Sequence, residues 1–163
     1  MTGAGLSRRT ALRNSLVIAA LVVLIDQLTK HWVVNNLSYG FPRHVIWTLQ
    51  WNLTFNRGMA FSTGQGAGPI IGAVAIVVIV VMLLSLRQSS GRVATIAVGL
   101  VVGGALGNVI DRMFRDRGWM RGRVIDFIDF QWFPIFNVAD MAINVGGFLL
   151  VVSALFSSRA RAS

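Results

Sequence analysis

Residues 93–112 read VATIAVGLVVGGALGNVIDR, and this stretch decides what kind of fold the chain can adopt. Up to residue 110 it is almost entirely apolar, and a helix needs about 20 mainly apolar residues to cross a bilayer. Gly99, Gly103 and Gly107 recur at every fourth position, which puts them on one face of a helix. Small residues in this pattern allow a neighbouring membrane helix to approach closely. The stretch therefore predicts a membrane-spanning helix that packs tightly within a bundle.

Three further stretches of the same character lie at about 15–34, 67–86 and 138–156, so four predicted spans take up about half of the chain. Of the 163 residues, 55% are hydrophobic and only 13% are charged, whereas soluble domains carry roughly 25% charged residues. This composition excludes an ordinary soluble enzyme and a disordered chain. We expect one membrane-embedded domain over residues 1–163, built as a bundle of four transmembrane α-helices.

The basic residues indicate how this bundle is oriented. The formal net charge is +9, but the arginines are spread along the chain and no nucleic-acid-binding fold is recognisable, so we expect no nucleic-acid partner. The tails and the short connection near residue 90 carry arginines without any acid, while the two long connections carry both signs. The positive-inside rule therefore places both termini in the cytoplasm and the long connections at the outer face.

The acidic residues narrow the chemistry. All are aspartates, and all are expected at the outer end of the bundle: Asp26, Asp111, Asp116, Asp126, Asp129 and Asp140. The absence of cysteine excludes disulfides, iron–sulfur clusters and a thiol nucleophile. His31 and His44 lie in different segments without the spacing of metal ligands. We expect neither a metal nor a cofactor.

The two long connections are predicted to fold. Residues 47–56, WTLQWNLTFN, alternate apolar and polar side chains. This pattern predicts a strand with one apolar face, in a small extracytoplasmic sheet at the membrane surface. The second connection, 113–136, is basic and then aromatic, and it joins the third and fourth spans.

An acid and a base lie one turn apart in the first span, at Asp26 and Lys30. A carboxylate in a span marks a functional site by default, because removing it from water is costly. The spacing of four, acid first, also suits an ion pair within the helix. The sequence thus leaves two roles open for Asp26: contact with a substrate, or neutralisation by Lys30.

Two further polar clusters follow. Asn108, Asp111 and Arg112 lie on one side of the third span, where they either bind the backbone of a polar substrate or brace the bundle. The start of the fourth span carries polar residues three and then four apart: Asn137, Asp140 and Asn144.

Two more carboxylates, Asp126 and Asp129, lie in the apolar and aromatic stretch VIDFIDF at 124–130. Apolar surroundings raise the pKa of a carboxylic acid because they disfavour its charged form. Two such acids brought together can share one proton, so that one takes a proton from water while the other polarises a carbonyl. We therefore consider an aspartyl-protease pair that joins Asp140 to one of these two residues.

Five sequence blocks occur in order along the chain. They are DQLTK at 26–30, NRGMAF at 56–61, GGALGNVIDR at 103–112, VIDF at 124–127 and FNVAD at 136–140. Together with the four spans, these blocks resemble the lipoprotein signal peptidases (signal peptidase II), a family of bacterial membrane aspartyl proteases. The blocks extend from the first span to the last.

The resemblance implies an aspartic endopeptidase that removes the signal peptide from diacylglyceryl-modified prolipoproteins, cutting just before the lipidated cysteine. Its catalytic pair would be Asp126 and Asp140, which favours Asp126 over Asp129. The residues expected to hold the substrate, or the inhibitor globomycin, are Asp26, Asn56, Asn108, Arg112 and Asn137. Those expected to support the structure are Lys30, Asp111, Gly58, Gly103 and Gly107, with Asp111 orienting Arg112.

The resemblance also implies a multi-pass protein of the bacterial cytoplasmic (inner) membrane, in contact with membrane lipids and acting as a monomer. The strand segment at 47–61 would correspond to the family's periplasmic β-cradle, and part of the second connection to its mobile periplasmic helix. The chain departs from the family pattern in two places. Met59 stands where a small residue is common, and the basic insert 115–121 is longer than in compact members.

Two other classes of function fit the sequence less well. A small transporter or proton channel would use Asp26 and Asp140 as relay sites, but it predicts acids spread through the depth of the membrane. A purely structural subunit gives no reason for so many polar groups at one rim.

Overall fold

A computed structural model describes residues 6–58, 67–86, 91–116 and 118–162, with side chains described up to residue 155. It has four helices that are long and apolar enough to cross a membrane, which confirms the predicted architecture. They are α1 (Arg8–Asn36), α2 (Gly68–Ser85), α3 (Arg92–Phe114) and α4 (Val138–Ala162). Three strands accompany them: β1 (Arg43–Ile46), β2 (Leu49–Asn56) and β3 (Val124–Asp129).

The first helix begins before the apolar stretch that predicts it. Ser7 is the N-cap of α1, and its Oγ accepts a hydrogen bond from the backbone N–H of Thr10 at 3.2 Å. This cap satisfies one of the free N–H groups at the start of the helix. The additional turns include the exposed Arg8, Arg9 and Arg13, so α1 is longer than the span that an apolar count identifies.

The third helix lies at the centre of the bundle and packs against the other three helices. Its glycine stripe makes the close helix contact that the sequence predicts, and the helix that it meets is α1. A Cβ atom on Gly103 would lie 2.8 Å from the backbone oxygen of Ala19 and 2.7 Å from the Cβ of Val22. Since real side chains do not come so close, only glycine permits this approach of α1 to α3.

The three strands form one antiparallel sheet in the order β1-β2-β3. Trp51, Leu53 and Phe55 of β2 pack in an apolar cluster with Phe127 of β3 and Val33 of α1. Of the polar residues between them, Asn52 hydrogen-bonds to the side chain of Asp129 on β3, whereas the buried Oγ1 of Thr54 has no hydrogen-bond partner among the described residues. The predicted alternation in β2 is therefore confirmed, and it joins the sheet to the end of α1. We call the end of the helix bundle that contacts the sheet the sheet end.

The second connection differs from its predicted form. Its described residues between α3 and α4 contain no helix; instead, residues 124–129 form β3. The sequence VIDFID is rich in β-branched and aromatic residues, which favour a strand, and β2 offers it a partner, with Thr54 opposite Asp126. Residues 59–61 of the predicted strand segment, including Met59, lie outside the described residues.

Candidate active site

The first turn of α4 holds Asp140 through reciprocal hydrogen bonds with Asn137. The Oδ1 of Asn137 accepts from the backbone N–H of Asp140 at 3.0 Å, and Oδ2 of Asp140 accepts from the backbone N–H of Asn137 at 3.2 Å. This is the arrangement of a capping box, in which two residues three apart satisfy free N–H groups at the start of a helix. The Asp140 carboxylate is thereby fixed where the helix dipole favours negative charge.

Asp126 is held between the sheet and the same helix start. Its Oδ2 accepts from Nδ2 of Asn56 on β2 at 3.0 Å, and its Oδ1 accepts from Nδ2 of Asn137 at 2.6 Å. The strand is tied to α3, because the backbone N–H of Ile125 donates to Oδ2 of Asp111 at 3.3 Å. Asn137 thus contacts both Asp126 and Asp140.

The surroundings of Asp126 change its acidity. The residue is only 4% exposed. Burial, and then the nearby charge of Asp140, raise the pKa of Asp126 to about 7, although the hydrogen bonds from Asn56 and Asn137 act in the opposite direction. A carboxyl group with this pKa is a good proton donor and acceptor near neutral pH.

Asp129, the other acid of this strand, has a different environment. Its Oδ2 accepts from Gln50 Nε2 at 2.7 Å and from Asn52 Nδ2 at 2.8 Å. Burial acts to raise the pKa of Asp129, but these bonds and that from the backbone N–H of Gln131 outweigh it, and the pKa lies below its usual value. Asp129 does not line the cavity described next.

A cavity of about 560 Å³ lies between α2, α3 and α4 and reaches β3. Asp126 and Asp140 both line it. Its other polar lining residues are Asn56, Asn108, Arg112 and Asn144, and its apolar walls include Ile71, Val74, Ala75, Val78, Val101 and Ile143. The cavity therefore combines a polar end, where the two carboxylates lie, with apolar helix surfaces.

A fully buried ionic cluster braces this polar end. Lys30 Nζ lies 2.9 Å from Asp26 Oδ2 and 2.7 Å from Asp111 Oδ2, and all three side chains are inaccessible. Lys30 also donates to Oδ1 of Asn108 at 3.0 Å, and Asn108 Nδ2 donates to Oδ1 of Asp140 at 2.9 Å. A single residue, Asn108, thus connects the ionic cluster to the Asp140 carboxylate.

The structure favours the second of the two roles left open for Asp26. Its Oδ1 accepts from the backbone N–H of Ala139 at 3.0 Å, and Lys30 neutralises it. A Cβ on Gly107 would lie 2.6 Å from Asp26 Oδ2, so this glycine makes room for the carboxylate. Asp26 does not line the cavity. Its environment is that of a structural residue rather than a substrate contact.

Arg112 lines the cavity and links α3 to the end of β2. Its Nη2 donates to the backbone oxygen of Gly58 at 3.1 Å, and the Gly58 N–H donates to Oδ1 of Asn56 at 2.9 Å. The Nη1 atom is buried and has no hydrogen-bond partner within the described ranges. Asp111 binds Lys30, Arg115 and the backbone of Ile125; among the described residues no hydrogen bond or ion pair joins it directly to Arg112.

Three other residues differ from their expected places or had no assigned role. Asn137 is completely buried and does not line the cavity, but it hydrogen-bonds to three residues that do: Asp126, Asp140 and Asn108. Asn144, one turn beyond Asp140, lines the cavity directly. Gln27 donates to Asp26, Asp111 and the backbone oxygen of Gly107. The sequence offers one signal for the role of Gln27: it is a neutral amide next to Asp26 in an apolar span.

Metal ligation has no obvious place in this site. In the part of the chain that the structure describes, no three His, Cys, Asp or Glu residues are grouped so as to hold a metal ion. His31 contacts Asn35, and His44 contacts the backbone oxygen of Trp47.

The fold and the cavity together define a multi-pass membrane protein with a polar site at one end of its helix bundle. Solved structures of two bacterial membrane enzymes, determined by the in meso method at 2.3 and 1.9 Å resolution, share this fold. The first has a TM-score of 0.79 and 29% identity, covering 88% of both chains. The second has a TM-score of 0.74 and 29% identity, covering 86% of this chain and 92% of that one.

Residues 18–156 match the family described as Signal peptidase (SPase) II, and the chain therefore belongs to the signal peptidase II family. It is 40% identical over 159 residues to a lipoprotein signal peptidase of Polynucleobacter necessarius, covering 91% of this chain and 93% of that protein. It is 39% identical over 146 residues to one of Mycolicibacterium smegmatis, covering 89% of this chain but only 62% of that protein.

Proposed function

We propose that this protein is an aspartic endopeptidase that removes the signal peptide from diacylglyceryl-modified prolipoproteins, cutting just before the lipidated cysteine. One observation carries the proposal. Asp126 and Asp140, from a strand and a helix, line the same cavity and are bridged by Asn137. Membership of the signal peptidase II family supports the choice of substrate.

The two carboxylates have different environments, and this suggests their roles. Asp126, whose pKa is raised to about 7, carries the shared proton and donates it to the oxygen of the scissile carbonyl. Asp140, at the start of α4, takes a proton from the attacking water. The new C–O bond gives a tetrahedral intermediate. Its collapse breaks the C–N bond as Asp140 returns the proton to the departing amine, and Asp126 regains its own.

The rest of the cavity suits a substrate that enters from the lipid. A peptide backbone must be extended to be cut, and in lipid its freed N–H and C=O groups require partners. Asn56, Asn108 and Asn144 have side-chain amides along the cavity, and Nη1 of Arg112 has no hydrogen-bond partner among the described residues. The apolar walls accommodate the signal peptide and the acyl chains. This chemistry needs no metal or cofactor.

We further propose that the protein lies in the cytoplasmic membrane with the sheet end outside and both termini in the cytoplasm. The sheet end carries the described aspartates, while the exposed Arg8, Arg9, Arg13 and Arg92 lie at the opposite end. Since every side chain of the proposed site comes from one chain, a monomer suffices for activity. Globomycin is expected to inhibit by occupying this cavity.

The test is cleavage of a purified diacylglyceryl precursor in detergent or lipid. Asp126→Asn and Asp140→Asn should each lower turnover by about a thousandfold or more, because each removes one of the two proton-transfer groups. Asp129→Asn is the matched control in the same strand and should stay within about threefold of the parent. Normal turnover in either dyad variant, or equal cleavage of a precursor without lipid, would contradict the proposal.

A further inference from the structure

We propose that Met120, in the connection between α3 and β3, is a positioning residue that holds α2 in place and thereby sets the width of the cavity. The effect on substrate selection rests on the function proposed above, whereas the effect on α2 does not. Met120 belongs to no block that carries the family resemblance, and it lies within the basic insert noted at residues 115–121 of the sequence.

Met120 is buried although its loop is exposed. Its own exposure is 0%, whereas its neighbour Trp119 is 64% exposed. Its backbone has a φ of 55°, in the left-handed region that residues other than glycine, asparagine and aspartate rarely adopt. Such a conformation is strained and persists only where the surroundings enforce it. Among the described residues of this loop, Met120 has its side chain fully buried, and that side chain lies against α2.

The residues of α2 that contact Met120 are glycines. The buried residues of α2 are Gly68, Gly72 and Ile79, which lie close to one line along the helix. Ile79 packs in the apolar cluster with α3. A Cβ on Gly72 would lie 2.7 Å from Met120 Sδ and 3.2 Å from its Cγ, and one on Gly68 would lie 2.8 Å from the Met120 backbone oxygen. At the sheet end, α2 therefore packs against Met120, whereas around Ile79 it packs against α3.

The face of α2 beside this line forms a wall of the cavity, through Ile71, Val74, Ala75 and Val78. A tilt or rotation of α2 about its contact with α3 would move these side chains relative to Asp126 and Asp140. The loop is anchored on the other wall, because the backbone N–H of Gly122 donates to the backbone oxygen of Arg112 at 2.8 Å. Met120 thus couples the position of α2 to the α3 residue that lines the polar end.

Two consequences follow for a protein that cleaves lipid-modified precursors. Met120→Ala should raise KM several-fold with little change in kcat, because the two aspartates keep their own contacts while the apolar wall loosens. It should also reduce discrimination between precursors with small and with bulky apolar residues ahead of the cysteine. Met120→Leu, which nearly conserves volume, should restore both properties.

A double-mutant cycle tests the contact between the Met120 side chain and Gly72 of α2. Gly72→Ala should destabilise the protein, because the new methyl group overlaps the Met120 side chain, and adding Met120→Ala should recover most of that loss. Gly68→Ala is the matched control. Its methyl group meets the Met120 backbone oxygen, which Met120→Ala leaves in place, so no recovery is expected. Additive effects at position 72, or equal recovery at 68 and 72, would overturn the proposal.

A distance measurement tests the effect on α2 without any substrate. Because the chain has no cysteine, nitroxide labels can be attached through Ile70→Cys on α2 and Val145→Cys on α4, both exposed and outside the cavity lining. The inter-label distance distribution should broaden and shift in Met120→Ala, and remain unchanged in Trp119→Ala. An unchanged distribution in Met120→Ala would overturn the proposal. If the parent protein cleaves no precursor, the proposed function fails, but this measurement still decides the role of Met120.

Discussion

Nδ2 of Asn137 donates to Oδ1 of Asp126 over 2.6 Å, although the two residues belong to different secondary-structure elements. The Oδ1 of the same side chain caps α4 by accepting from the N–H of Asp140. One buried amide therefore fixes the relative position of both proposed catalytic carboxylates. A substitution at this position can remove the hydrogen bond to Asp126 and keep the one that caps α4.

Asn137→Ser should keep α4 capped but lose the hydrogen bond to Asp126. Serine is as good an N-cap as asparagine, and its hydroxyl is too short to replace the amide at Asp126. We expect the thermal stability of this variant to stay close to that of the parent while kcat falls at least tenfold. Asn137→Ala should lose about 1 kcal/mol more in unfolding free energy. Equal stability losses in both variants would show that the capping bond has no measurable role.

The pH dependence of cleavage should report the Asp126 proton. If Asp126 must be protonated, turnover should fall as the pH rises through its pKa of about 7. Asn56 donates a hydrogen bond that lowers this pKa, so Asn56→Ala should move the alkaline limb of the pH–rate profile to higher pH. Asn52→Ala, which instead removes a donor to Asp129, is the control and should leave the limb where it is. A limb that moves to lower pH in Asn56→Ala would contradict this account.

Stability should respond to pH in opposite ways at the two acids of β3. The pKa of Asp126 is raised from 3.8 to about 7, so the folded state binds its proton more tightly than the unfolded chain does. Its ionisation therefore destabilises the fold by an amount that grows from about pH 4 to pH 7, up to the order of 4 kcal/mol. Relative to the parent, Asp126→Asn should become progressively more stable from pH 5 to about pH 7 in thermal unfolding, and the difference should level off above that pH.

Asp129 provides the comparison for that experiment. Its pKa is lowered, so its ionisation stabilises the fold above about pH 4, and this contribution is lost only on further acidification. Asp129→Asn should therefore be less stable than the parent by a constant amount between pH 5 and pH 8. A trend with pH like that of Asp126→Asn would show that the two sites are not electrostatically distinct.

Removal of Lys30 should be among the most destabilising single changes. Lys30→Met leaves the carboxylates of Asp26 and Asp111 buried without their shared cation, and breaking a buried ion pair in this way costs about 3–5 kcal/mol. Converting both acids to asparagine in the same variant should recover part of the loss. Arg115→Met is the control, since Arg115 is partly exposed and Asp111 keeps Lys30, and it should cost less than about 1 kcal/mol. A small loss for Lys30→Met would contradict the cluster's bracing role.

Lys30→Met should also lower activity, because Lys30 holds Asn108, and Asn108 donates to Asp140. The sequence indicated only the pairing with Asp26, since a spacing of four on one helix is visible along the chain. The second acid of the cluster, Asp111, comes from α3, and no periodicity connects the two helices. Besides neutralising Asp26, Lys30 is therefore connected through Asn108 to Asp140, one of the two proposed catalytic residues.

Local patterns were sufficient for much of the architecture. The four apolar stretches predict the helices because crossing a bilayer requires a continuous apolar run of nearly fixed length. The glycine stripe at 99, 103 and 107 predicts a close helix contact, and the alternation at 47–56 predicts β2, because both are properties of a single element. The strand β3 in the second connection was not predicted. The sequence VIDFID favours a strand locally, but β3 forms because β2 is available as its partner, and pairing between distant strands cannot be read along the chain.

The sequence by itself determined that this is a four-span membrane protein, which aspartates it has, and which of them match a family motif. Only the tertiary structure decided which side chains meet. It placed Asp126 and Asp140 in one cavity, moved Asp129 into a network of amides, and buried Asp26 against Lys30. It also seated Met120 on the glycines of α2. The physical reason is that span formation depends on the hydrophobicity of neighbouring residues, whereas the acidity and reach of a carboxyl group depend on burial and on partners that distant segments bring to it.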